Sequence, residues 1–210
     1  MKNLKEYIVT ENNFFKNLGI GMRPDVEKWV KERHIKNYTI NDDLTIDVKG
    51  DIYLLGYKEE QLPEYIQFGR VDGWFNISRC PNLTTLEGCP QEVSGFFDCN
   101  NCPKLKSLKG APQEVGGDFE CYKCKNLTSL EGCPQEVGGN FECMGCEKLE
   151  SLKGCPQEVG KSFSCSGCNI KSLDGCPQYV GGDFYCHECN KKITQKDVQN
   201  KCTVKGDIIV

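Results

Sequence analysis

The chain reads as a repeat solenoid, mainly β with short irregular convex segments, closed by a small α/β cap in front and a short helix-strand cap behind. Three observations predict this. The string GCPQEV recurs, its prolines Pro90, Pro112, Pro134, Pro156 and Pro177 standing 22, 22, 22 and 21 residues apart, and self-similarity at such a period marks a stack of like coils. In phase with it runs an aromatic row, Phe75, Phe97, Phe119, Phe141, Phe163 and Phe184, with Ile52 leading. Within each unit the pattern x-F-x-C-x-x-C-x-x-L alternates with period two around the Phe and changes phase at the second Cys, so one short strand per coil is expected.

Taken in order, residues 1–48 form the front cap. Pro24, Asp25, Val26, Trp29 and Val30 show a helix start followed by apolar spacing of three and four, and LTIDVKGDIYL reads as two strands around Lys49 and Gly50. Residues 49–190 form the solenoid of about 22-residue units, its register reaching upstream into the degenerate stretch LPEYIQFGRVDGWFNISRC. Residues 191–210 close it, with Thr194 to Lys201 suited to a short helix and Thr203 to Val210 to a final strand. A solenoid has open core ends, and such atypical flanks cover them.

Composition narrows the function. With 26 basic and 30 acidic residues the net charge is −4, so no global positive field draws nucleic acid or an anionic membrane. No apolar run approaches the roughly 20 residues of a bilayer span, and the start MKNLKEYIVTENN lacks the apolar core of a secretory signal. A soluble protein of a reducing cytosol is expected. Its 16 cysteines are then free thiols, since disulfide-rich frameworks belong to small secreted chains.

The unit spacing resembles the leucine-rich repeat, L-x-x-L-x-L-x-x-(N/C)-x-L, with Phe119, Cys121 and Cys124 on its second, third and Asn/Cys positions. Its first Leu position is glycine here, as at Gly116, with Val115 one residue earlier, and most units place the next Leu one residue late, as at Leu127; the 21-residue unit restores the spacing at Ile170. The resemblance covers roughly residues 49–190. It implies parallel strands on a concave side and irregular convex segments, GCPQEVGG being too rich in Gly and Pro for a helix. More closely, YTINDDLTIDVKGDIYL, SLEGCPQEVGGDFEC and KDVQNKCTVKGDIIV are similar to short leucine-rich repeat proteins encoded by large tailed bacteriophages. That resemblance implies a fold and a viral origin, with no assigned activity.

Five C-x-x-C pairs, Cys99/Cys102, Cys121/Cys124, Cys143/Cys146, Cys165/Cys168 and Cys186/Cys189, invite a zinc or redox reading, because four thiolates satisfy tetrahedral zinc. The repeat argues for packing instead. The first-Cys row begins with Ile77, and the row Cys89, Ala111, Cys133, Cys155, Cys176 accepts Ala; a slot that takes Ile or Ala is a packing slot. Only the row Cys80, Cys102, Cys124, Cys146, Cys168, Cys189 is unbroken, and there a thiol can donate weakly to loop carbonyls. Neither metal nor cofactor is expected. His34 and His187 lie far apart in sequence and read as exposed surface, giving no Cys-His or Ser-His pairing. The Gly-Gly pairs at Gly116, Gly138 and Gly181 lack the GK[ST] ending of a phosphate loop and read as turns. No enzyme is expected.

Function is placed on the ribbon of side chains flanking the buried Phe and Cys. Trp74, Phe96, Tyr122 and Met144 are large apolar groups of the kind that anchor interfaces, and Asp98, Glu120 and Glu142 form an acidic column suited to a basic surface. Tyr185 and His187 complete the candidate partner-binding set, whereas Ser162, Ser164 and Ser166 read as solvated. The expected function is protein binding, to a host protein with a basic surface as the candidate target, in the host cytoplasm, with no nucleic acid and no membrane. A packaged or structural virion component, and a zinc or redox protein using the C-x-x-C pairs, are the alternatives. Met1, Lys2, Glu6, Tyr7 and Ile8 also resemble the leader of internal head proteins of T-even phages, M-K-x-x-x-E-(F/Y)-I-x-E, with Glu11 one residue late. The same stretch reads as an amphipathic helix on Leu4, Tyr7, Ile8 and Phe14 or Phe15.

Overall fold

The computed structural model describes residues 23–189 and 192–210; both readings of the first residues lie outside this range. In chain order the elements are α1 (Arg23–Glu32), β1 (Tyr38–Ile40), β2 (Ile46–Val48), β3 (Ile52–Tyr53), β4 (Phe68–Val71), β5 (Phe75–Asn76), β6 (Glu92–Val93), β7 (Phe97–Asp98), β8 (Glu114–Val115), β9 (Phe119–Glu120), β10 (Glu136–Val137), β11 (Phe141–Glu142), β12 (Glu158–Val159), β13 (Phe163–Ser164), β14 (Tyr179–Val180), β15 (Phe184–Tyr185), α2 (Gln195–Gln199), β16 (Thr203–Val204) and β17 (Ile208–Ile209). They wind into a mainly β solenoid with few helices.

Each coil carries two strands, not the single one expected. The Phe dipeptides form an eight-stranded sheet, β3 to β17, and the Glu-Val dipeptides of PQEV form a nine-stranded one, β2 to β16 with β1 added antiparallel at its edge. The segment taken as irregular is therefore half a coil. Gly and Pro exclude a helix there, but Glu and Val lie extended, and their backbone reaches the coil before: Gln113 N donates to Gln91 O at 2.8 Å and Gly116 N to Val93 O at 2.9 Å. The final strand is likewise two, β16 in one sheet and β17 in the other, with Gly206 between them.

The core is a stack of rows. Phe75, Phe97, Phe119, Phe141, Phe163 and Phe184 are fully buried and neighbouring rings stand 5.0–5.9 Å apart, with Ile52 and Ile208 in register at the two ends. Valines 93, 115, 137, 159 and 180 line the other sheet, and Leu rows close the third side. At the front, α1 buries Val26, Trp29 and Val30, and Trp29 meets Phe68 edge-on at 6.1 Å. At the back, Thr194 and Asp197 form a capping box on α2, whose Gln195 donates to Ile208 O at 2.9 Å.

Two features of the repeat have steric causes. The turn inside each C-x-x-C adopts positive φ at Asn101, Lys123, Gly145, Gly167 and Glu188, which swings the chain and accounts for the phase change at the second Cys. The Gly-Gly corners hold coils so closely that a Cβ on Gly138 would overlap the carbonyl of Gly116, and one on Gly116 would lie 2.5 Å from Ser94 O. These corners are packing constraints at turns.

Candidate functional site

The outer face of the eight-stranded sheet carries the candidate residues in three columns. The first runs Asp51, Trp74, Phe96, Asp118, Asn140, Ser162, Asp183, Asp207. Its polar members brace successive coils: Asp51, Asp118, Asn140, Ser162 and Asp183 each accept from the backbone N–H of the following member, at 2.8–3.0 Å. Trp74 and Phe96 interrupt this ladder and stack on each other, centroids 4.9 Å apart and planes 12° off parallel. Trp74 is still 47% exposed.

The second column is Asn76, Asp98, Glu120, Glu142, Ser164, Tyr185. Parallel register sets Asp98 beside Glu120 and Glu120 beside Glu142, so like charges stand directly opposite, an arrangement that destabilises a sheet. Asn76 Nδ2 and Asn100 N donate to Asp98 at 2.8 and 2.9 Å, and among the described residues no ion pair reaches any of the three. Partial burial, then the charges of Asp98 and Glu142, push the Glu120 carboxyl up to about 7. Burial also raises Asp98 and Glu142.

The third column is Ser78, Asn100, Tyr122, Met144, Ser166, His187. Met144 is 36% exposed; Phe96, Tyr122, Tyr185 and His187 are half-buried. Ser164 and Ser166, expected to be solvated, are buried, as are Ser78 and Asn100, because short side chains sink between taller neighbours on adjacent coils. His187 is not the exposed residue its position suggested, and its Nδ1 is buried without a partner. His34 is exposed. Sequence reasoning missed Tyr53 and Leu55, 59% and 56% exposed on the same face at the edge strand β3; aligning Ile52 with the Phe row would have placed them in these columns.

A second acidic column was also missed. Glu92, Glu114, Glu136 and Glu158 stack in register on the nine-stranded sheet, beside a groove of about 650 Å³ lined by Ser94, Gln113, Gly116 and Gln135. Only Glu92 has an ionic partner among the described residues, Arg70. The third side of the coil behaves differently. Its equivalent positions read Glu87, Lys109, Glu131, Lys153, Asp174, alternating in sign, and Lys201 pairs with Asp174 at 2.7 Å.

All sixteen cysteines are free, fifteen of them buried. The unbroken row donates to carbonyls one coil back: Cys124 Sγ to Cys99 O at 3.3 Å, Cys146 to Cys121 O at 3.3 Å and Cys168 to Cys143 O at 3.1 Å. Burial pushes the thiols of Cys99, Cys121 and Cys133 well up, and those of Cys186 and Cys202 up to about 12, whereas interactions with Cys143 and Cys146 draw Cys168 down to about 4 and one with Cys165 lowers Cys189. Among the described residues, no group of three or more His, Cys, Asp or Glu is arranged to hold a metal ion, and no helix is long and apolar enough to cross a membrane.

Fold and faces together define a class, a two-sheeted parallel β-solenoid with a thiol-rich core and acidic outer columns. No protein-family profile, curated protein or solved structure matches the chain.

Proposed function

We propose that the protein is a non-enzymatic interaction module that binds a protein with a basic surface through the outer face of the eight-stranded sheet. The contrast between columns carries this reading. Along the third side, Glu87, Lys109, Glu131, Lys153 and Asp174 alternate in sign. Asp98, Glu120 and Glu142 instead stack like charges beside exposed Trp74 and Met144, an arrangement that is unfavourable in the free protein and is relieved by a cationic partner. The leucine-rich-repeat resemblance, with its end caps, belongs to the same proposal, as do phage origin and a host-encoded target in the host cytoplasm; they rest on the sequence segments quoted above.

Capture from bacterial lysate on the wild-type protein and on the variant Trp74→Ala, Tyr122→Ala, Glu120→Lys tests the proposal. A protein held by the first and lost from the second is the expected result. Equal capture of the same protein by both would remove this face as the site. Peptide mapping of purified virions addresses the alternative of a packaged component.

A further inference from the structure

Cys189 differs from the other fifteen cysteines in being only half-buried. It is the last member of the unbroken cysteine row and lies on the wall of an open cleft of about 670 Å³, which His187, Lys192, Lys196 and Val210 also line. Its sulfur rests against the preceding coil: Cys189 Sγ donates to Cys165 O at 3.4 Å, and the two thiols interact with each other. That one contact lowers the Cys189 thiol, favouring its thiolate, and raises the Cys165 thiol. Cys168 is also drawn down but is only 2% exposed, so it lacks a route to solvent. A thiol that is accessible, thiolate-favouring and in contact with a second sulfur is the arrangement that marks redox-active cysteines.

We propose that Cys189 is a peroxide-reactive thiol that closes a disulfide with Cys165 of the preceding coil. The Cys189 sulfur attacks one oxygen of hydrogen peroxide and the O–O bond breaks; Cys189 becomes a sulfenic acid, and the departing hydroxide leaves as water with the thiol proton. The Cys165 sulfur then attacks the Cys189 sulfur, the S–O bond breaks, and a second water carries off the Cys165 proton. Two thiols are oxidised by two electrons and one peroxide is reduced to two waters. The pairing crosses coils and is not the one inside the C-x-x-C motif, because the Cys189 sulfur lies against Cys165. It does not depend on the partner face.

The test treats the reduced full-length protein with hydrogen peroxide and maps its thiols by mass spectrometry of tryptic peptides. Cys189 should be oxidised at least about tenfold faster than any buried cysteine, and the product should join peptide 162–171 to peptide 172–191 through Cys165 and Cys189. Cys165→Ser removes the second sulfur, so dimedone should then trap a sulfenic acid at Cys189. Cys189→Ser should lose both the link and the trapped adduct while keeping the wild-type melting temperature within a few degrees. A link between Cys186 and Cys189 inside peptide 172–191 would overturn the pairing. Oxidation that starts at a buried cysteine, or a Cys189 that survives peroxide as a free thiol, would overturn the site.

Discussion

Phe119 is fully enclosed between Phe97 and Phe141, so Phe119→Ala should lower unfolding free energy by about 3–5 kcal/mol in chemical denaturation, through lost transfer energy and the cavity left behind. Trp74→Ala removes a half-exposed ring and its stack on Phe96, and about 1 kcal/mol is expected. A loss at Trp74 as large as that at Phe119 would mean that the face is part of the core. Glu120 adds a pH signature. Its folded-state pKa lies above the unfolded carboxyl value, so the native state binds the extra proton. Its contribution is complete below pH 4 or so and is lost as pH rises towards about 7. Unfolding free energy should therefore fall between pH 5 and pH 8, and Glu120→Gln should flatten that fall in paired denaturation curves at the two pH values. An unchanged slope would show that the carboxyl titrates normally.

The coil was legible where a row is made of one residue type facing one environment. The Phe row, the cysteine rows and the register with Ile52 follow from period and alternation, and the front helix from its Pro start and apolar spacing. The second strand was not, because Glu-Val is only two residues long and sits between Pro and Gly, where local propensity marks a turn; its hydrogen bonds come from neighbouring coils, a tertiary effect. The same omission hid the Glu92 to Glu158 column. Burial of Ser164 and Ser166 was illegible for another reason: alternation gives the face of a side chain, and the height of its neighbours decides its exposure. Gly138→Ala probes the corner directly. Its Cβ overlaps the Gly116 carbonyl, and a loss of about 1–3 kcal/mol is expected from overpacking; a neutral effect would show that coils can separate there.

Across the whole molecule, stability is shared between like neighbours, as in other stacked repeats. Deleting one inner unit, residues 110–131, should leave a cooperatively melting protein, whereas removing residues 195–210 strips β16, β17 and α2 from the last coil and should not. A cooperative transition at the wild-type temperature in the second variant would contradict the stacking account. The thiols report on the same core. Among the sixteen, the buried fifteen should resist Ellman's reagent in the native state, and all should react after denaturation without reductant. Fast native reaction of several cysteines would mean that the coils breathe or that the rows face solvent.

The proposed partner surface is the outer face of the eight-stranded sheet. Hydrogen–deuterium exchange of the protein, free and with the captured partner, measures this most directly. Added protection is expected in peptides spanning residues 74–78, 96–100, 118–122 and 140–144, with little change at residues 92–94, 114–116 and 136–138 on the other sheet. Protection confined to the second group would contradict the account and move the binding face to the glutamate column of the nine-stranded sheet.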